Sequence, residues 1–125
     1  MEDLVELGRE FVQTMLDRRG IGHVTELYSE NAESVEAVVP PGRELRIAKG
    51  RIAIQAKREV WAAAHKIQKL VADGPYVHPP NRFAVRFEVQ VTQKETGRQM
   101  TLREIAMYTV EEGKIVREEF FMLPK

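Results

Sequence analysis

Glu104 is the residue whose sequence context most favours chemistry. It shares alternate positions with Ala106, Tyr108 and Val110 in the apolar segment from Met100 to Val110. Alternate residues of a strand lie on one face of a sheet, so this carboxyl is expected among apolar neighbours if that face lines a pocket. Such surroundings disfavour the charged form of a carboxyl and raise its pKa toward the range useful for general acid–base catalysis. Glu104 is therefore the first catalytic candidate.

Two alternatives for Glu104 remain open. The carboxylate can face solvent, or it can form a salt bridge at the mouth of a pocket. The decision depends on strand register, because a shift of one residue exchanges the two faces of a strand. The basic residues available for such a salt bridge are Arg103, Lys114 and Arg117.

Glu118 is the second candidate carboxyl. It lies on the strand predicted to follow that of Glu104, and two facing carboxyls can divide into a proton donor and a charged partner. The adjacent Glu119 leaves this assignment open, since one solvent-exposed and one salt-bridged glutamate is the commoner arrangement for such a pair. Glu118 is therefore a candidate for the second half of an acid–base pair.

Trp61 and His65 are four residues apart, so they share a helix face if the helix extends that far. The imidazole would then transfer protons near neutral pH, beside the indole at a pocket rim. Alternatively, Trp61 is a core residue and His65 is favoured at the helix C-terminus by the dipole. His23 is expected to be structural and His78 to be exposed in a loop. No two histidines have a ligand-like spacing, so no metal site is expected.

The elements that carry these residues follow from the hydrophobic pattern. The clearest is a β-hairpin with strands Met100 to Val110 and Lys114 to Met122, joined at Glu111-Glu112-Gly113, where glycine supplies the positive φ of a short turn. Before it, residues 83 to 91 alternate between apolar and polar, as a half-buried strand does.

Helices and short strands are predicted in the first half of the chain. An amphipathic helix over residues 3 to 18 is followed, after Gly20 and Gly22, by a short helix over residues 23 to 28. A turn at residues 29 to 31, a strand over 34 to 39, a loop at Pro40-Pro41-Gly42 and a strand over 45 to 48 come next.

A third helix is predicted over residues 51 to 64. The segment from Ile67 to Val71, which ends at Asp73-Gly74-Pro75, fits either more helix or a strand, and we favour the strand. The stripe of the third helix that is expected to face the core consists of Ile52, Ala56, Val60 and Ala63, with Trp61 beside it.

Composition limits the classes of function. The 125-residue chain is 43% apolar and 30% charged, as expected for one globular domain over residues 1 to 125. Nineteen basic residues balance nineteen acidic ones, so no net charge would attract nucleic acid or an anionic membrane. Cysteine is absent, which excludes disulfides and thiolate chemistry. The acidic, amphipathic N-terminus does not have the pattern of a secretion signal, so a cytoplasmic protein is expected.

The order of elements, α-α-β-β-α-β-β-β-β, predicts an α+β fold with a curved antiparallel sheet wrapped around helices. This order and three motifs resemble the SnoaL-like branch of the nuclear-transport-factor-2-like superfamily, which includes ketosteroid isomerases and polyketide cyclases. The resemblance implies a cone-shaped barrel around three helices of the N-terminal half, a deep apolar pocket and a homodimer through the outer face of the sheet. The motifs are Leu27-Tyr28-Ser29-Glu30-Asn31-Ala32, Lys49-Gly50-Arg51-Ile52-Ala53-Ile54 and Gly113-Lys114-Ile115-Val116.

The resemblance also changes the set of site candidates. Ketosteroid isomerases use a tyrosine that aligns near Phe11 and an aspartic acid that aligns with Ala106, so that isomerisation is not expected here. A second aspartate of those enzymes aligns with Glu36 or Ala37, which makes Glu36 a further catalytic candidate. The residues expected to bind a ligand are Phe11, Tyr28, Trp61, Phe83, Phe87, Tyr108, Phe120 and Met122.

Two functions of different classes follow. The first is an enzyme that needs no cofactor and isomerises, cyclises, dehydrates or hydrolyses an apolar, oxygenated small molecule, with Glu104 as acid or base. The second is a ligand-binding or accessory protein without catalysis. The residues that assist Glu104 in the first reading are Glu36, His65, Tyr108 and Glu118. The residues of the opposite strand face expected to form a homodimer are Ile105, Met107 and Phe121.

Overall fold

The computed structural model describes residues 2–17, 24–39 and 46–123. The first half contains helix α1 (Glu2–Leu16), a 3-10 helix (Val24–Leu27), strands β1 (Tyr28–Val35) and β2 (Ile47–Lys49), and helix α2 (Arg51–Ala64). The second half is all strand: β3 (His65–His78), β4 (Arg82–Gln93), β5 (Gln99–Glu111) and β6 (Lys114–Met122). The predicted α+β element order is confirmed, with the 3-10 helix as its second helical element.

The six strands form one curved, open sheet in the order β2-β1-β6-β5-β4-β3. Every neighbouring pair is antiparallel except β1 and β6, which run parallel. The helices pack against one face of this sheet, which we call the concave face, and the opposite face is the convex face. This is the sheet wrapped around helices that the sequence predicts.

The predicted C-terminal hairpin is confirmed, and the structure supplies its register, which the sequence leaves open: Glu104 pairs with Met122, so Glu118 does not lie opposite Glu104 as suggested. Glu112 and Gly113 both have positive φ, at 49° and 74°. Positive φ at both central residues is typical of a two-residue β-hairpin turn, as the sequence predicts. Ala106 pairs with Phe120 and Tyr108 with Glu118 across the two strands. The alternate residues that start from Glu104 therefore share the face that packs against the helices.

Helix α1, predicted from the sequence as an amphipathic helix, packs one face on the sheet. Leu4, Phe11 and Val12 are buried in the core. Gly8 allows the close approach, because a Cβ at this position would lie 2.7 Å from the Cβ of Pro75 in β3. The predicted breaks at Gly20 and Gly22, and His23 at the start of the second helix, lie outside the described residues.

Helix α2 has the predicted bounds but the opposite orientation. Ile52 and Val60 are 86% and 71% exposed, and Ala56 and Ala63 are exposed as well, so the predicted core stripe faces solvent. Ile54 is fully buried instead. The physical reason is ionic: the concave face carries carboxylates, and the helix turns its basic residues toward them. The residues on this inner face are Ile54, Lys57, Arg58 and Trp61.

Strand β1 corrects a second prediction. The expected turn at residues 29 to 31 belongs to the strand, and the strand ends at Val35 rather than continuing to residue 39. Pairing with β6 on one side and β2 on the other supplies the backbone hydrogen bonds that the polar sequence did not suggest. Pro40-Pro41-Gly42 and Leu45 lie outside the described residues.

Strand β3 is longer than predicted. The segment after helix α2 is a strand, as favoured, but it continues through Asp73-Gly74-Pro75 to His78. Its pairing with β4 shifts register between Asp73 and Tyr76, so a bulge accommodates the glycine and the proline. β3 is an edge strand of the sheet, and a proline is tolerated at such a bulge.

Candidate functional site

Three cross-strand rows of side chains from β4, β5 and β6 line the concave face, and we call this set of nine residues the floor. Register places one residue from each of β4, β5 and β6 in every row, and alternate residues of a strand share a face. The rows are Phe87-Glu104-Met122, Val85-Ala106-Phe120 and Phe83-Tyr108-Glu118. The predicted pocket residues of β4, β5 and β6 are thus brought together on one surface.

Glu118 is fully buried at one end of this floor and bound to two other side chains. The Tyr28 hydroxyl donates a hydrogen bond to Glu118 Oε1. Arg58 Nη2 donates to Tyr28 Oη at 3.0 Å and lies 3.2 Å from Glu118 Oε1. A buried carboxylate is tolerated when a guanidinium matches its charge, so these three residues form a buried ionic cluster linking β1, α2 and β6.

A second ion pair lies beside the first. Lys57 Nζ lies 2.5 Å from Glu36 Oε1 and 2.5 Å from the hydroxyl oxygen of the buried Ser34. The ammonium also lies 5.4 Å from the centroid of the Phe120 ring. Glu36, which follows β1, is therefore neutralised by helix α2 and held over the floor.

Glu104 differs from these two carboxylates, because no ion pair or hydrogen bond joins its carboxyl to another side chain of the described residues. Burial raises its pKa to about 7, and the negative charges of Glu36 and Glu118 add to the rise while Arg58 and Lys57 oppose it. Its cross-strand neighbours are Phe87 and Met122. The carboxyl therefore exchanges a proton near neutral pH in apolar surroundings.

The salt bridges considered for Glu104 from sequence do not form. Arg103 pairs with Glu88 at 2.8 Å on the convex face. Arg117 pairs with Glu33 and Glu119, both at 3.3 Å. Lys114 donates to the backbone oxygen of Glu26 at 3.1 Å. All three basic residues are thus engaged elsewhere.

Tyr108 stands at the other end of the floor from Glu104. Its ring lies 4.4 Å from that of Phe11 and 5.0 Å from that of Phe83, centroid to centroid. Its hydroxyl is buried and finds no hydrogen-bond partner in the described chain. Burial, followed by the negative charges nearby, raises the pKa of Tyr108 well above its usual value, so the hydroxyl keeps its proton and is a donor.

Trp61 and His65 lie apart from this cluster. Their rings stack at a centroid distance of 4.4 Å, and His65 Nδ1 lies 2.8 Å from the backbone oxygen of Trp61. His65 pairs with Gln93, six residues along β4 from the row of Glu104, or about 20 Å of strand. His65 therefore caps the C-terminus of α2, which is the second of the two roles considered from the sequence. Its imidazole is not close to Glu104.

Sequence reasoning missed Lys57, Arg58 and Ser34. The sequence reasoning on α2 considers only its apolar stripe, and charged side chains on an amphipathic helix usually face solvent. A signal was nevertheless present, because Ile54, Lys57 and Arg58 are spaced as one helix face. Reading that face as the inner one requires knowing that buried carboxylates lie opposite.

Two further findings concern other classes of site. Across the residues that the structure describes, no three histidine, aspartate or glutamate side chains group so as to hold a metal ion. Within the same ranges, neither helix has the length and hydropathy of a membrane-spanning segment.

Comparison with known proteins agrees with this architecture. Residues 8–122 match the family model of the SnoaL-like domain. A predicted SnoaL-like polyketide cyclase from Mesorhizobium loti superimposes with a TM-score of 0.82, at 31% identity, over 93% of this chain and 96% of that chain. A predicted isomerase from Bacillus subtilis has a TM-score of 0.78 and 23% identity, over 98% of this chain and 88% of that one.

A third similar structure contains a small ligand. It is a protein of ketosteroid isomerase-like fold from Catenulispora acidiphila, in complex with trimethylamine. Its TM-score is 0.66 at 10% identity, with 81% of this chain and 73% of that chain covered. Among curated proteins, no sequence matches the chain.

Proposed function

The chain belongs to the SnoaL-like domain family, and on that premise we propose that its concave face binds an apolar, oxygen-containing small molecule and transfers a proton through Glu104. The observation that carries this proposal is the Glu104 carboxyl itself, which is half-buried and unpaired among the described residues, has Phe87 and Met122 as cross-strand neighbours, and has a pKa of about 7. A carboxyl of that pKa populates both forms at neutral pH, as a general acid or base must.

The remaining polar groups have distinct roles in this proposal. Tyr108 donates its unpartnered hydroxyl to an oxygen of the ligand. Four residues of β5, about 13 Å of strand, separate Tyr108 from Glu104, and the small Ala106 lies between them. Arg58 and Tyr28 bind Glu118, and Lys57 binds Glu36. In this proposal these contacts position the side chains around Glu104 and take no part in the proton transfer.

Proton transfer can be tested before the natural substrate is known. Apolar cyclic ketones incubated in D2O at pH 7 should exchange their α-protons faster with the protein, as followed by NMR. Glu104→Gln should lower this rate about 100-fold or more, because the amide can neither take nor give the proton. Glu95→Gln, in the exposed β4–β5 turn, is the matched control and should exchange like the wild type. Equal rates for wild type and Glu104→Gln would refute the assignment.

Ligand binding without catalysis is the second candidate function. It is favoured by the resemblance, which aligns the isomerase tyrosine near Phe11 and the isomerase aspartic acid with Ala106, neither of which supplies a polar group; both side chains are fully buried. The same ketone experiment separates the candidates. Ketone binding without any exchange in the wild type would favour the binding protein.

We also propose that the chain forms a homodimer through the convex face. Phe121 is 51% exposed there and pairs with the half-buried Ile105, and Tyr76 is 57% exposed beside Ala84. Ion pairs surround these apolar side chains, including Arg103 with Glu88. Apolar side chains rimmed by charged ones are typical of a protein interface.

A further inference from the structure

The charges of the concave site do not balance. Three carboxylates, those of Glu36, Glu104 and Glu118, face two basic side chains of the described chain, those of Lys57 and Arg58. Lys57 matches Glu36 at 2.5 Å, and Arg58 matches Glu118 at 3.2 Å. The carboxylate left over is Glu104. At a pH above 7, where Glu104 is ionised, the site lacks one positive charge.

A second observation points the same way. Glu118 is fully buried, and its Oε2 atom has no hydrogen-bond partner in the described chain, nor has the buried hydroxyl of Tyr108. Arg58 Nε is also unpartnered, but the charge of that guanidinium is already matched. A carboxylate oxygen accepts hydrogen bonds and does not donate them. Without a donor, Glu118 Oε2 adds its negative electrostatic potential to that of the Glu104 carboxylate. The negative charge of Glu118 acts directly on Glu104.

The surroundings of Glu104 favour a soft cation over a metal ion or a hydrated one. Phe87 on β4 and Met122 on β6 are the cross-strand neighbours of Glu104, so an aromatic and a thioether residue share its row of the concave face. Both groups are polarisable, and an aromatic face attracts an alkylammonium group. An organic ammonium satisfies the charge of Glu104 and the apolar contacts together.

We propose that the ligand of this site carries a positively charged nitrogen, held against Glu104 between Phe87 and Met122, and that the site rejects anions. Anions are rejected because Lys57 and Arg58 are already matched and Glu104 adds repulsion. This inference rests on the proposed function, since it gives the ligand class of the same site. A cation beside Glu104 favours the ionised carboxylate, so Glu104 acts on such a ligand as a base.

Three probes of one shape and different charge test the proposal. Choline is cationic, 3,3-dimethylbutan-1-ol is its neutral counterpart, and 3,3-dimethylbutanoate is anionic. Binding is measured by NMR titration at pH 8, where Glu104 is ionised. Choline should bind at least about tenfold more tightly than the alcohol, and the anion more weakly than either.

Variants assign this preference to one carboxyl. In Glu104→Gln, choline should lose its advantage over the alcohol, while the exposed Glu95→Gln control should keep it. No choline binding by the wild type, equal binding of choline and alcohol, or an unchanged preference in Glu104→Gln would each overturn the proposal.

The pH dependence gives an independent readout, because the charge of choline is permanent and only the protein titrates. The charged and titratable groups facing Glu104 are Glu36, Lys57, Arg58, Tyr108 and Glu118. Glu104, with a pKa of about 7, is mostly protonated at pH 6 and mostly ionised at pH 8. Choline affinity should therefore rise about tenfold between these pH values in the wild type. It should stay constant in Glu104→Gln, and a flat wild-type profile would overturn the proposal.

The ketone experiment and the choline experiment fail separately. Ketone exchange without any preference for choline would overturn the cationic ligand and leave proton transfer intact. A preference for choline that depends on Glu104, without ketone exchange, would support the ligand class and refute proton transfer.

Discussion

Glu104 couples the proposed chemistry to stability. Its pKa of about 7 in the folded chain exceeds the ordinary value of 4.5 because the carboxyl is buried beside Glu36 and Glu118. Between those two pH values the folded chain holds a proton that the unfolded chain has released. The free energy of unfolding therefore falls as the pH rises through this window, and the cost is complete above pH 7.

Replacement of the carboxyl should remove this cost. Glu104→Gln should be more stable than the wild type by up to about 3 kcal/mol at pH 8, and by less than about 1 kcal/mol at pH 5. Urea unfolding at both pH values and one protein concentration measures the difference. Glu95→Gln should show no such dependence on pH. A stability gain that is equal at pH 5 and pH 8 would mean that Glu104 is not the titrating group.

The sequence was informative about some residues of the site and silent about others. Glu104 was found because it interrupts an apolar alternation, a pattern visible in any strand with one buried face. Arg58 was not found, because its role depends on Glu118, which is 60 positions away. The choice between Glu118 and Glu119 also required the register of the sheet, which brings Tyr108 opposite Glu118.

At the scale of elements, helix α2 shows how ionic contacts override hydrophobic periodicity. Its most hydrophobic stripe, which includes Ile52 and Val60, faces solvent. The inner face instead carries Lys57 and Arg58 to the carboxylates of the concave face. An unpaired buried carboxylate costs more than an exposed aliphatic side chain, so this orientation has the lower free energy. An argument from hydrophobic periodicity counts only apolar residues, so it misses the free energy of pairing the buried carboxylates.

The orientation of α2 gives a direct mutational test. Ile54→Ala should lower the free energy of unfolding by about 2–5 kcal/mol, because it removes a fully buried side chain. Val60→Ser and Ile52→Ser should change it by less than about 0.5 kcal/mol, since both side chains are exposed. Urea unfolding of the three variants decides between the two faces. A large loss for Val60→Ser with a small one for Ile54→Ala would restore the orientation predicted from sequence.

The strand predictions are correct where one face of the strand is apolar. They are wrong for β1, whose conformation depends on backbone hydrogen bonds to the neighbouring strands. From Phe83 to Phe87, β4 alternates buried residues with partly exposed ones, as the sequence predicts. β1 begins Tyr28-Ser29-Glu30-Asn31, which is a turn-like composition, yet it lies between β2 and β6. Only the position of the strand inside the sheet explains its conformation, and local sequence does not contain that information.

At the scale of the molecule, β5 and β6 each serve two surfaces. Alternate residues separate the proposed proton-transfer site on the concave face from the proposed dimer surface on the convex face. Ile105, between Glu104 and Ala106, pairs with Phe121 on the outer side. Assembly and ligand binding are therefore separable by substitution, even though the residues involved are neighbours in sequence.

This separation predicts how the convex face responds to charge. Phe121→Glu should convert the proposed dimer to a monomer, because it buries a carboxylate in the apolar interface of each subunit. Sedimentation or light scattering measures the change, and Ile52→Glu, on the exposed stripe of α2, should leave the dimer intact. Ketone exchange by Phe121→Glu should match the wild type, since Phe121 points away from Glu104. A monomeric wild type, or a dimeric Phe121→Glu, would place the interface elsewhere or remove it.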